Sequence, residues 1–195
     1  MLEEKFLVPR DMLTRNCLNG AELAVYLTLL DMFSVYDHMV MVQDDDILFG
    51  LTNITEPTKT QRKMISVAMQ ALFNKNVLVG NLFAGQGKYL IQCKESFAAQ
   101  IDKTKYGYVI LDYTKIRTLI KACPDPREWQ KLIIYYYELL CHMNAEGECR
   151  YSLEYFADKI NISILTLTKY NKKLVELGLI KIIKHKKSTN TYCRT

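Results

Sequence analysis

The sequence predicts a mainly α chain with small β-hairpins, an α+β fold built as two helix–turn–helix modules in tandem. Three observations predict it. A helix, a sharp turn, a second helix and a basic hairpin are readable over Ser152–Thr195. A weaker copy of the same order is readable between Asn53 and Ile91. The length, 195 residues, suits one large domain or two small ones. The expected division is a first domain over residues 1–100 and a second over 101–195.

From the amino terminus, Phe6-Leu7-Val8-Pro9-Arg10 begins an extended lead, with Pro9 restraining Val8 toward an extended shape. Asn19 can cap a helix from Gly20 or Ala21, in which Leu23, Tyr26, Leu27, Leu30 and Phe33 recur at helical spacing. Met39–Val42 reads as a short strand. Asp44-Asp45-Asp46 then stand at a helix start, where carboxylates complement the positive end of the macrodipole. Metal binding by this run is the sharper alternative; consecutive aspartates pointing in different directions argue against it.

A helix from Thr58 buries Ile65, Ala68, Leu72 and Phe73 and gathers Lys59, Arg62 and Lys63 in its first turns. Val77-Leu78-Val79 reads as a strand, Gly80 to Gly87 as hairpin-turn chemistry, and Lys88–Ile91 as the returning strand. Gly85-Gln86-Gly87-Lys88 is not a phosphate-binding loop. Leu82 stands where that loop needs its first glycine, and Tyr89 where it needs Ser or Thr. Lys94–Lys105 reads as a linker, partly helical through Phe97-Ala98-Ala99. Tyr106–Leu111 reads as a strand and Tyr113–Ala122 as a short helix. Asp125 as cap and Pro126 as first residue open a helix reaching about His142. Its Trp129, Leu132, Ile133, Tyr136, Leu139 and Leu140 make it apolar nearly all round, which implies burial on more than one side. For Tyr135-Tyr136-Tyr137, a place in the core or an interface is favoured over base stacking, because no basic residue interleaves them. Ala145–Glu148 is a turn.

The last module is the clearest. Its first helix, Leu153–Ile160, buries Leu153, Phe156, Ala157 and Ile160, and Asn161 tolerates the tight turn that follows. Ser163 caps the second helix, which runs to Leu177 with Leu167, Tyr170, Leu174 and Leu177 on one face. Gly178 ends it through the left-handed conformation. Leu179–Lys184 is then strand-like, His185–Asn190 turn-forming, and Thr191-Tyr192-Cys193 the returning strand. That order is the order of a winged helix-turn-helix. Ala71–Val79 matches the passage from Lys173 in residue character, with Asn76 standing where Gly178 stands later. An Asn-Ile pair precedes both, at Asn53-Ile54 and Asn161-Ile162. The spacing differs, so the first copy needs a longer turn or helix.

The charge is concentrated at the same place. Tyr151–Thr195 holds nine basic and three acidic residues, a net +6, against +5 for the whole chain. A positive second helix followed by a positive hairpin attracts a phosphate backbone. Composition is ordinary for a soluble protein, 49% hydrophobic and 24% charged. There is no apolar run of membrane-spanning length, and the charged start Leu2-Glu3-Glu4-Lys5 lacks a signal-peptide core, so a cytoplasmic location is expected. The six cysteines form no close CxxC pair and read as reduced thiols. Cys141, His142 and Cys149 fit no common zinc-finger spacing. None of His38, His142 and His185 sits in a nucleophile elbow, a zinc motif or a triad, so no enzyme activity is expected.

Ser163, Thr166, Leu167, Lys169, Lys172, Lys173, Leu174, Leu177, Gly178, Leu179 and Ile180 resemble the recognition-helix-to-wing passage of bacterial winged-helix proteins. The resemblance departs at Ile164-Leu165, which stand where polar residues are usual. The opening, through Phe6, Pro9, Arg10, Leu23 and Tyr26, resembles the start of replication initiator and replisome-organiser proteins of Gram-positive plasmids and phages. These resemblances imply tandem winged helices that bind double-stranded DNA without a cofactor. The implied role is replication initiation or transcription regulation for a mobile element.

The expected DNA contacts are Ser163, Ile164, Leu165, Thr166, Thr168, Lys169, Lys172 and Lys173 on the second helix and Lys184, His185, Lys186 and Lys187 on the wing. Lys59, Arg62 and Lys63 are expected to contribute from the first module. Replication or transcription proteins and a second copy of the chain are further expected partners. The alternative expectation is an adaptor in which a winged helix docks a partner protein, with DNA binding secondary.

Overall fold

A helix apolar on every side has to be covered on every side, and each half of the chain is arranged around one. In the computed structural model, which describes residues 5–33, 38–83, 85–102, 106–184 and 190–195, the chain is α+β with short antiparallel sheets. It divides into two compact units, Met1–Lys121 and Ala122–Thr195.

The first unit runs β1 (Lys5–Pro9), α1 (Met12–Asn16), α2 (Gly20–Phe33), β2 (Met39–Gln43), α3 (Asp44–Thr52), α4 (Lys59–Asn74), β3 (Gly80–Phe83), β4 (Lys88–Gln92), α5 (Cys93–Asp102), β5 (Tyr108–Asp112) and α6 (Tyr113–Lys121). Its axis is α2, buried without a break from Leu23 to Leu30. Each such aliphatic side chain contributes about 1.5–3 kcal/mol when fully buried. The polar groups on this helix are satisfied. The Thr28 hydroxyl donates to the Ala24 carbonyl at 2.8 Å and lies 2.6 Å from the Tyr113 hydroxyl of α6. Buried Glu22 accepts from the Asn19 amide at 3.0 Å and pairs with Lys75 at 2.5 Å. Asn19 in turn caps α2, its side-chain oxygen accepting from the Glu22 amide. The sheet has the order β2-β4-β3, and β1 pairs antiparallel with β5, Leu7 opposite Ile110.

The second unit runs α7 (Pro126–Cys141), β6 (Glu148–Cys149), α8 (Leu153–Ile160), α9 (Ile164–Glu176), β7 (Ile180–Ile183) and β8 (Thr191–Arg194). Its axis is α7, capped by Asp125 with Pro126 at the first turn and buried without a break from Tyr135 to Cys141. Tyr135 donates to the Asn171 side chain at 2.7 Å and meets Phe156 edge-on at 5.7 Å between centroids. These rings are core, as the lack of interleaved cations predicts. The sheet has the order β6-β8-β7.

The two sets of elements repeat. β1-α1-α2-β2-α3-α4-β3-β4 is followed, after α5, by β5-α6-α7-β6-α8-α9-β7-β8. In both sheets the strand after the long helix pairs with the last strand, which is central. The buried positions of α4 (Ile65, Ala68, Met69, Leu72) and of α9 (Leu167, Tyr170, Asn171, Leu174) have the same spacing. Each set is followed four residues later by a left-handed residue, Asn76 (φ 52°) or Gly178 (φ 65°). Asn53 and Asn161, also left-handed, close α3 and α8. The longer spacing of the first copy is divided between the two devices it allows. The turn from Asn53 to the cap Thr58 is longer than that from Asn161 to Ser163, and α4 begins a turn earlier relative to its buried face.

Four expectations require correction. The unit boundary falls after Lys121, not at residue 100, because β5 pairs with β1 and Tyr113 bonds to Thr28. Lys94–Lys105 is not a linker: residues 93–102 form α5, and its polar composition conceals buried, bonded side chains. The Ser96 hydroxyl accepts from the Val79 amide at 2.9 Å, and Gln100 donates to the Val77 carbonyl at 3.2 Å. Val77-Leu78-Val79 is not a strand. The amides of Val77 and Leu78 bond to the Leu72 carbonyl and terminate α4, so β3 begins only at Gly80. Strand β6 lies at the end of a segment expected to be only a turn.

Gly80 joins these two regimes. Its φ is +146°, and a Cβ there would lie 1.9 Å from the Leu90 carbonyl oxygen on the paired strand. Gly80→Ala should therefore destabilise the first unit by about 1–3 kcal/mol in urea denaturation. Gly85→Ala, where a Cβ meets nothing within 4 Å, should cost distinctly less. Equal losses would show that the close approach to Leu90 is not what fixes glycine at position 80.

Candidate nucleic-acid interface

The α9 start is built by a complete cap. Ser163 takes an extended conformation, and its hydroxyl accepts from the Thr166 amide at 3.2 Å and lies 2.9 Å from the Thr166 hydroxyl. Leu167, Tyr170 and Leu174 hold the helix against its unit, so the opposite face is left to solvent. Ile164, Leu165, Thr168, Lys169 and Lys172 are exposed there. Lys172 lies 3.9 Å from Glu176, with both side chains largely in water, where such a pair contributes little.

On β7 the side chains alternate. Ile180 is buried while Lys181 and Ile183 are exposed, and Lys184 follows, also exposed. Lys181 was absent from the expected contact set. The period-two alternation of Ile180–Ile183 is the signal that would have added it. His185, Lys186 and Lys187 lie outside the described residues.

Lys173 is placed differently from its neighbours. Its ammonium pairs with Glu128 of α7 at 2.8 Å and lies 3.3 Å from the Cys123 sulfur. The hydrogen bond to Glu128 raises its pKa, and burial pushes the Cys123 thiol up. Lys173 is thus half-buried, unlike Lys169 and Lys172: its helical angle turns it toward α7, where it ties α9 to its own unit.

In the first unit, Lys59 and Lys63 are exposed on α4. Arg62 forms a two-pronged ion pair with Asp45 of α3, at 2.7 and 3.1 Å, which holds the Asp45 carboxyl below the usual range. The three aspartates of the run have separate roles. Asp44 is buried and accepts from the Tyr89 hydroxyl at 2.7 Å, with burial raising its pKa against that bond. Asp45 holds Arg62, and Asp46, the third residue of α3, accepts at 2.9 Å from the backbone amide of the N-cap residue Gln43. Among the described residues no group of three or more His, Cys, Asp or Glu side chains is placed to hold a metal ion. His142 sits within the aromatic cluster of Tyr151, Tyr155 and Phe156, its Nε2 2.8 Å from the Tyr155 hydroxyl. Buried Glu138 beside it pairs with Lys159 at 2.9 Å. Among the described residues no helix is long and apolar enough to cross a membrane.

No protein-family model, curated protein or solved structure matches the chain.

The two lysine pairs on α9 differ in a measurable way. A double-mutant cycle of Lys173→Ala with Glu128→Gln, read by urea denaturation, should return a coupling of about 0.5–1 kcal/mol. The cycle of Lys172→Ala with Glu176→Gln should return a value near zero. The reverse order would mean that Lys173 does not anchor the helix.

Proposed function

We propose that the chain is a double-stranded DNA-binding protein made of two winged helix-turn-helix modules. Its role is replication initiation, or control of the genes, of a plasmid- or phage-type mobile element. The fold part of this reading is supported by the order helix, strand, helix, helix, hairpin in both units, with the single strand added to the hairpin's edge. The mobile-element part rests on the resemblance carried by Phe6, Pro9, Arg10, Leu23 and Tyr26.

The observation that carries DNA binding is the outward lysine set of the second unit. Lys169 and Lys172 on α9 and Lys181 and Lys184 on the hairpin are all exposed, within a segment of net +6. In this reading α9 enters a major groove, its first turns meet base edges, and the hairpin lysines follow phosphate or the minor groove. No cofactor takes part. The first unit contributes less to the electrostatics, since Arg62 is committed to Asp45 and the exposed centre of α4 carries Val67, 61% exposed. That observation favours a second reading for this unit alone, docking of a partner protein.

Salt dependence tests the proposal. The logarithm of affinity for a random-sequence duplex should fall steeply with the logarithm of salt concentration. Lys169→Ala and Lys172→Ala should each lower that slope by about 1. Unchanged affinity and slope in both variants would remove α9 from the DNA.

A further inference from the structure

The outward edge at the start of α9 is apolar, and the hydroxyls beside it are already engaged. Ile164 is 43% and Leu165 69% exposed. Ser163 and Thr166 spend their hydroxyls on the helix cap. Thr168 donates its hydroxyl back to the Ile164 carbonyl at 2.9 Å, which leaves the methyl as the group it offers outward. Two-pronged reading of a base edge takes Arg, Lys, Asn, Gln or a carboxylate, and the first turn of α9 holds none of these.

The same helical face becomes cationic further on. Thr168 and Lys169 stand three and four residues after Leu165, and Lys172 stands seven after it, so apolar and basic groups share one face. An apolar protein groove would cover Leu165 but would leave the two lysines opposite apolar surface. A duplex offers both counterparts at this spacing: phosphates for the lysines and, at the floor of the major groove, the thymine 5-methyl as an apolar group. At the positions of α4 that match Ile164 and Leu165 by buried-face spacing stand Arg62 and Lys63, so the apolar edge belongs to the second unit.

We infer that α9 reads thymine methyl groups in the major groove through Leu165, with Ile164 and the Thr168 methyl beside it. This rests on the DNA-binding reading and adds its base preference: the bound sequence presents thymines to the first turn of α9.

The test uses the full chain and a duplex enriched by it from a randomised pool, resynthesised with deoxyuridine in place of every thymidine. Loss of the methyl groups should weaken binding by about fourfold for each methyl contacted, with the salt slope unchanged. Leu165→Ala, an exposed position whose melting temperature should not move, should bring the thymidine-to-deoxyuridine ratio close to one. Leu165→Met should retain the ratio. Equal binding of the two duplexes to the unaltered chain would overturn the inference and leave DNA binding standing. A ratio that persists in Leu165→Ala would assign the methyl effect to another contact or to duplex shape, and would also overturn it. Absence of salt-dependent binding to any duplex would remove the DNA-binding reading, and this inference with it.

Discussion

The burial of one all-round apolar helix in each unit is the constraint on which the remaining structure depends. From Leu23 to Leu30 and from Tyr135 to Cys141 no face of α2 or α7 is left to water. Two helices packed on one side cannot cover such a cylinder, so further elements are needed. In the first unit α3, α4 and α6 pack on α2, with Tyr113 of α6 at Thr28 and Phe97 of α5 at Tyr26; in the second α8 and α9 pack on α7, with Cys149 of β6 and Tyr192 of β8 beside Tyr135. The second helix of each pair is then fixed by its inner face, Ile65 to Leu72 or Leu167 to Leu174, which leaves its outer face unconstrained by folding. That separation is what allows one scaffold to carry two different surfaces.

The surfaces do differ. With the inner faces matched, Ile164 and Leu165 correspond to Arg62 and Lys63, while Lys169 and Lys172 correspond to Val67 and Gln70. Basic and apolar residues are interchanged at the first three of these positions, and at the fourth a lysine corresponds to a neutral amide. In the first unit the leading arginine is also held by Asp45, whereas the second unit keeps its outward lysines and adds Lys181 and Lys184 on the hairpin. On the proposed reading, the second unit makes the main contact with DNA, and the first has diverged toward another task or a weaker contact.

Much of this was legible in the sequence where the determinants are local. Caps at Asn19, Asp125 and Ser163, left-handed turns at Asn161 and Gly178, the periodicity of α4 and α9 and the all-round apolarity of α7 could each be read from a few neighbouring residues. What escaped was non-local. The place of β5 in the first unit depends on pairing with β1, about a hundred residues upstream, and nothing in Tyr108–Asp112 records its partner. The α5 segment looked like a linker because Ser96 and Gln100 are polar, yet both are buried and bonded to the backbone around Asn76–Val79. In the candidate interface, the outward lysines followed from helical phase, and the ion pair of Lys173 escaped because its partner Glu128 lies on another helix.

The most direct measurement is a titration of the isotope-labelled full chain with a short random-sequence duplex, followed by amide chemical shifts. The account predicts that the earliest and largest changes fall on Ser163–Lys172 and Lys181–Lys184, while the amides of α7 facing the core of the same unit stay in place. Changes confined to the first unit, or none at a salt concentration where the duplex binds, would contradict it.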